Sequence, residues 1–202
     1  MGERWALLIV RELVLGPKRF TDLRVGLPGL SPNVLAQRLR ELEAAGIVER
    51  SKLPPPAASR VYELTERGRG LAPVLIELGC WGAALPTAPG TEMSLDSHLL
   101  ALQSTFDPEA ADGIYASYEL RLDGQSYRAR VADGELRLAR GTADEPHATL
   151  ETEPRTLLAL LWGGLELADA IRSGETLVAG DRRAIDRFLR LFPAPEPAPP
   201  DA

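Results

Sequence analysis

The chain has 202 residues, 45% hydrophobic and 26% charged, with a formal net charge of −6 at neutral pH; this is ordinary globular composition, and the length suits two domains. One cysteine, Cys80, excludes an internal disulfide framework, and two distant histidines, His98 and His147, lack zinc-ligand spacing, so neither a metal nor a cofactor is expected. No apolar run reaches membrane-spanning length, and Arg11 and Glu12 break the apolar start with no small-residue cleavage site after it, so a cytoplasmic protein without a membrane partner is expected.

Charge is unevenly divided. Up to Leu85 there are twelve Lys and Arg against nine Asp and Glu, and beyond it eleven against twenty, so a basic half precedes an acidic one. Glu3 to Leu15 carries apolar residues on more than one side, which suits a helix buried from two directions, and Gly16 and Pro17 stop it. Phe20, Leu23 and Leu27 give one short helix over Arg19 to Val25, followed by a turn at Pro28 and Gly29. Ser31 then caps a new helix with Pro32 at its first position, and Leu30 with Leu35 has the spacing of a hydrophobic staple. Leu35, Leu39 and Leu42 form its inward stripe. Asn33, Gln37 and Arg40 share the outward face, with Arg38 beside it, and such side chains bond base edges or phosphates when a helix lies in a major groove.

A polar outer face belongs to any surface helix, so the following hairpin carries much of the weight. Ala45 and Gly46 end the helix, Ile47 to Leu53 reads as a strand, Pro54 to Pro56 as a stiff tip, and Arg60 to Leu64 as the returning strand. Arg50, Lys52 and Arg60 sit on the arms, where they reach phosphates or a minor groove. The sum is a winged helix-turn-helix whose expected partner is double-stranded DNA, contacted by Ser31, Pro32, Asn33, Gln37, Arg38, Arg40, Arg50, Lys52 and Arg60. Thr65 caps a further helix in which Leu71, Val74, Leu75, Leu78, Trp81 and Leu85 recur at three and four, a stripe that serves either as core or as a face pairing two subunits.

The segments ERWALLIVRELVLGPKRFTDL, LPGLSPNVLAQRLRELEAAGIVER and RVYELTERG resemble the HxlR family of bacterial winged-helix transcriptional regulators over about the first eighty residues. The Trp5 helix, the Arg19-Phe20 pair, the Leu-Arg-Glu-Leu-Glu block and Tyr62-Glu63-Leu64-Thr65 stand in family order. The resemblance implies a homodimer on an inverted repeat, with the Ser31 helix in the groove and the hairpin as wing. The family pattern has a further helix and a cysteine before the Trp motif, whereas this chain begins almost at that motif. Cys80, between Gly79 and Trp81 and with no base nearby, is read as a packed thiol.

Pro86, Pro89 and Gly90 mark a linker. Leu95, Leu99, Leu102 and Phe106 define a helix face; past Pro108 the period alternates. Tyr118, Leu120 and Leu122, then Tyr127, Ala129 and Val131, then Leu136 and Leu138 give three strands joined at Asp123-Gly124 and Asp133-Gly134, which favour tight hairpins. A fourth strand runs from His147 to Thr152, and Pro154 opens a Leu-rich helix that Gly163 and Gly164 interrupt. A short helix from Leu165 to Arg172, a strand at Thr176 to Gly180 and a helix burying Ile185, Phe188, Leu189 and Phe192 complete the half, followed by a proline-rich disordered tail. The leading helix, the meander and the ending IRSGETLVAGDRRAIDRFLRLF resemble a sterol-carrier-protein-like domain over Leu95 to Phe192. That resemblance implies an apolar cavity between sheet and helices, lined by Tyr118, Leu120, Tyr127, Leu157, Leu161, Trp162, Leu177 and Phe188 and open to a small hydrophobic effector. The alternative is that these side chains fill a core with no ligand.

No GxSxG elbow, HExxH or phosphate-cradling glycine loop occurs, and acidic pairs in so acidic a half carry no information, so no catalytic residues are expected and the chain is read as a non-enzyme. The expected fold is α+β, with a winged helix-turn-helix over 1–85, a linker over 86–94, a sterol-carrier-protein-like domain with an antiparallel sheet packed on helices over 95–192, and a tail over 193–202. The leading function is a dimeric transcriptional regulator. The alternatives are a hydrophobic-ligand carrier, or an interaction protein whose second domain is an empty docking or dimerisation unit.

Overall fold

The computed structural model describes residues 5–53, 59–83 and 94–194, and the chain divides into two compact units, Met1–Ala101 and Leu102–Ala202. The first unit begins with α1 (Ala6–Leu13), buried through Ala6, Ile9, Val10 and Leu13. A segment containing Leu15 and Lys18 leads to α2 (Phe20–Gly26), then α3 (Pro32–Ala44), β1 (Val48–Lys52), β2 (Arg60–Leu64), α4 (Glu66–Arg69) and α5 (Ala72–Ala83). Leu23, Leu27, Leu35, Leu39, Leu42, Ile47, Val48, Leu64 and Leu75 close one core under α1. β1 and β2 pair antiparallel from Val48↔Leu64 to Lys52↔Arg60, and Lys18 exchanges both backbone hydrogen bonds with Tyr62, at 3.0 and 2.8 Å, adding a third edge to the hairpin. The proline tip of the hairpin lies outside the described residues.

The helix expected after Thr65 forms as two pieces. Thr65 Oγ1 accepts from the Gly68 amide at 3.0 Å and donates to the Gly46 carbonyl at 2.7 Å, fixing α4 against the start of β1. Gly68 is required there, because a Cβ would lie 2.1 Å from the Ile47 carbonyl oxygen. The chain turns at Gly70 and Leu71 before α5 begins. The recurring stripe also divides: Leu75 enters the core, whereas Val74, Leu78 and Trp81 are exposed, Trp81 by 67%. Leu85 lies outside the described residues.

α6 (Leu95–Ser104) runs across the division, so the helix expected to open the second domain has residues in both units. Its first turn belongs to a buried polar cluster of the first unit. Glu12 on α1, 0% exposed, accepts from Lys18 Nζ at 2.6 Å, from Ser94 Oγ at 2.5 Å and from Arg11 at 3.2 Å, and Lys18 also pairs with buried Asp96. Gly26 makes room, since a Cβ there would meet Glu12 Oε2 at 2.2 Å.

The second unit holds a sheet in the order β5-β4-β3-β6-β7, formed by β3 (Ala116–Leu122), β4 (Gln125–Ala132), β5 (Glu135–Arg140), β6 (Ala148–Thr152) and β7 (Thr176–Gly180), with α7 (Pro154–Leu161), α8 (Leu167–Ser173) and α9 (Arg182–Leu189). Asp123-Gly124 and Asp133-Gly134 have positive φ at both positions, 48° and 72°, then 54° and 71°, the geometry of two-residue hairpin turns. The meander is antiparallel as expected, and so is β6 with β7, but β6 joins β3 in parallel, Tyr118↔Ala148 to Leu122↔Thr152.

The reason for the parallel pairing lies in the connection after β5, which returns across the sheet before β6. Glu119, 3% exposed, accepts from Arg121 Nε at 2.7 Å, the Ala143 amide at 3.1 Å and Ser126 Oγ at 3.3 Å, tying that connection to β3. The Arg121 guanidinium, followed by the other donors, holds the Glu119 carboxyl below its ordinary range against the opposing effect of burial.

Candidate nucleic-acid interface

α3 is set in place by its first turn. Ser31 Oγ accepts from the Val34 amide at 3.4 Å, Pro32 occupies the first helical position, and Leu30 and Leu35 are both buried, as the staple requires. With Leu35, Leu39 and Leu42 inside, the exposed residues include Ser31, Pro32, Asn33, Gln37, Arg40 and Glu41. Asn33, Gln37, Arg40 and Glu41 fall on one stripe of the helix. Arg38 is more covered, and its guanidinium pairs with Glu41 one turn on.

Glu41 itself was not singled out by the sequence pattern. It also accepts a hydrogen bond from Gln37 Nε2 at 2.9 Å. Its carboxyl is held below the ordinary range, first by Gln37 and then by Arg38, and therefore stays ionised at neutral pH. The spacing i, i+4 from Gln37 could have identified this pair.

On the hairpin, Arg50, Lys52 and Arg60 are exposed, with Lys52 directly opposite Arg60. Arg50 bonds Glu43 at the end of α3 through Nε at 2.5 Å and Nη2 at 3.0 Å, and its guanidinium lies 5.4 Å from the centre of the Tyr62 ring. This bidentate pair braces β1 against α3. Apart from the more covered Arg38, the residues expected to meet DNA are exposed on α3, β1 and β2, and the Arg50–Glu43 pair joins α3 to β1.

The residues expected to line a cavity in the second unit do not all come together. Tyr118, Leu120, Tyr127, Leu157 and Phe188 are buried, and Leu161 and Trp162 are half-buried. Tyr118 and Phe188 have ring centres 4.6 Å apart, Phe188 and Phe192 5.0 Å, and Phe192 and Phe106 5.9 Å, while Trp162 Nε1 donates to the Phe192 carbonyl at 3.2 Å. Leu177 is the correction, at 61% exposed. It lies opposite Glu151 in the β6–β7 register, whereas its neighbour Thr176 is buried opposite Thr152, so strand alternation turns Leu177 outwards. There it lines a polar groove of about 350 Å³ with Arg121, Glu151, Arg155 and Thr156.

The Tyr118 hydroxyl is buried and has no hydrogen-bond partner among the described residues. Burial raises its pKa, Arg187 opposes this and Asp181 adds to it. Among the described residues no group of three or more His, Cys, Asp or Glu is arranged to hold a metal, and no helix is long and apolar enough to cross a membrane.

Comparison with known proteins follows the same division. Residues 1–88 match the HxlR-like helix-turn-helix family, and residues 90–198 match the alkyl sulfatase C-terminal family. The uncharacterized HTH-type transcriptional regulator YvaP of Bacillus subtilis is 42% identical over 81 residues, covering 40% of this chain and 75% of the relative. The reduced form of the transcriptional regulator YodB from B. subtilis is 41% identical, covering 45% of this chain and 87% of that chain, with a TM-score of 0.37. The inverting sec-alkylsulfatase Pisa1 from Pseudomonas sp. is 21% identical over 54% of this chain and only 19% of its own, with a TM-score of 0.48. The chain therefore belongs to the HxlR-like helix-turn-helix family of bacterial transcriptional regulators through its first half, and to the alkyl sulfatase C-terminal family through its second.

Proposed function

We propose that this protein binds an inverted-repeat operator as a homodimer, with α3 in the major groove and the β1–β2 hairpin as wing, and that its second unit senses a small hydrophobic molecule. The observation that carries the first part is the exposed row Asn33, Gln37 and Arg40 on a helix whose opposite face is fully buried. Arg50, Lys52 and Arg60 supply cations beside it, and phosphate contacts position a reader whose specificity comes from base edges. Homodimerisation is supported by Val74, Leu78 and Trp81, exposed at i, i+4 and i+7 on α5.

The effector reading is supported by the aromatic interior around Tyr118, whose orphaned hydroxyl suits the acceptor of an otherwise apolar ligand. This is a binding role in a sterol-carrier-protein-like domain, without catalysis. An effector alters DNA binding only through a difference in its affinity for the two states of the protein.

The test is an anisotropy titration of the full chain on the promoter region beside its own gene and on a random duplex. Gln37→Ala or Arg40→Ala is expected to cost roughly 1–3 kcal/mol on the operator alone, whereas Lys52→Ala or Arg60→Ala weakens both duplexes and flattens the salt slope. Equal losses on both duplexes for all four variants would defeat base reading. Native mass spectrometry of freshly purified protein tests the second unit: a co-purified apolar molecule is expected, and a persistently empty protein unmoved by fatty acyl compounds favours an interaction module. Ligand binding without any selective duplex binding would instead make the protein a carrier.

A further inference from the structure

Resting on the DNA-binding reading above, we propose that Glu41 is a positioning residue that orients Gln37 to read adenine. An ionised carboxylate only accepts hydrogen bonds, so of the two ends of the Gln37 amide the NH₂ must face it, as the 2.9 Å bond to Nε2 records. That leaves the Gln37 carbonyl oxygen and the second Nε2 hydrogen as one acceptor and one donor side by side. Adenine presents the complementary pair on its major-groove edge, the N6 donor and the N7 acceptor. Guanine presents two acceptors there and rejects the Gln37 oxygen.

Arg38 completes the arrangement. Its guanidinium takes the second carboxylate oxygen of Glu41, which holds the carboxylate in place beside Gln37 and keeps it charged. Gln37 and Arg38, adjacent in sequence, each stand about one helical turn before Glu41 on α3, and a change of rotamer in Glu41 releases the Gln37 amide to rotate. The carboxylate itself faces a polyanion when DNA is bound, so its presence lowers affinity for any duplex while sharpening choice at one base pair.

Selection from a randomised duplex pool tests this with the full-length protein. Wild type is expected to enrich an inverted repeat with an A·T pair fixed at one position in each half, and Gln37→Ala to lose preference at that position alone. Glu41→Ala is expected to lower the preference there roughly two- to tenfold, the scale of one net hydrogen bond, while affinity for random duplex holds or rises. General damage to the helix lowers both, which separates a positioning role from a structural one. Glu41→Gln preserves size and polarity but bonds Gln37 in either orientation, so it is expected to lose adenine preference as well.

Unchanged preference at the Gln37-dependent position in both Glu41 variants overturns the assignment, as does a Gln37-dependent position occupied by a pair other than A·T. If wild type enriches no sequence at all, DNA reading itself fails, and the role of Glu41 with it.

Discussion

The two halves of the chain bury charge in different ways. In the first unit Glu12, Lys18 and Asp96 are all inside, in a closed cluster completed by Ser94 and Arg11. In the second, Glu119 is inside but its guanidinium partner Arg121 is half exposed, and two further donors come from a serine and a backbone amide. Removing a buried member of the first cluster strands charge with little access to water, whereas removing a donor from Glu119 leaves a site beside the half-exposed Arg121. The first arrangement thus makes α1, the Lys18 segment and the first turn of α6 depend on one another. The second pins one connection to one strand.

The largest expected effect breaks the closed cluster. Lys18→Met removes the cation that the buried carboxylates of Glu12 and Asp96 share and is expected to cost about 3–5 kcal/mol, seen as loss of hydrogen-exchange protection in α1. Replacing Glu12, Lys18 and Asp96 together by apolar residues of similar volume is expected to recover most of that loss; if the single variant is as stable as wild type, the cluster has no such role. Next comes Glu119→Gln, expected to cost about 1–3 kcal/mol through weaker charge-assisted bonds, read as a lowered thermal midpoint. Because its folded pKa is depressed, this stabilisation is complete above the unfolded carboxylate pKa of about 4.3 and fades as pH falls through the folded value. The gap between wild type and variant should therefore close in acid, and a gap constant down to the lowest measurable pH would contradict the assignment.

Smaller effects sharpen the contrast between capped and exposed positions. Ser31→Ala is expected to cost about 0.5–1 kcal/mol, the low end for a cap because its bond to Val34 is long; faster amide exchange in the first turn of α3 is the measurement. Leu177→Ala is expected to change stability by less than about 0.5 kcal/mol because the side chain is already in water. A urea midpoint shifted as far as a core truncation would place Leu177 inside after all.

Much of the fold is legible because local chemistry repeats along the chain. The Ser31-Pro32 start of α3, its buried leucines, the Asp-Gly turns and the strand from Thr176 to Gly180 all follow from capping, periodicity and turn preference. The exposed part of the candidate interface follows too, since Asn33, Gln37 and Arg40 are what remains once the apolar stripe of α3 turns inwards. Periodicity cannot show which outward position receives a cover. Glu12 and Glu119 both stand where a charge reads as solvated, and each is buried by a segment distant in sequence, Ser94 to Asp96 in one case and Ala143 in the other.

The same limit explains Leu177 and Trp81, apolar residues in good periodic company that nevertheless face out. The sequence by itself determined the helices of the helix-turn-helix, the hairpin that follows them, the polar face of α3 and the Asp-Gly meander, because each depends on neighbours within a few positions. Only the tertiary structure decided the parallel β3–β6 pairing, the buried charge cluster, the outward turn of Leu177 and the tie between Gln37 and Glu41. The pairing and the cluster join residues far apart along the chain, and the side to which Leu177 points is set by the β6–β7 register. The Gln37–Glu41 tie is local, but both side chains are exposed and the i, i+4 spacing alone does not choose between this bond and water.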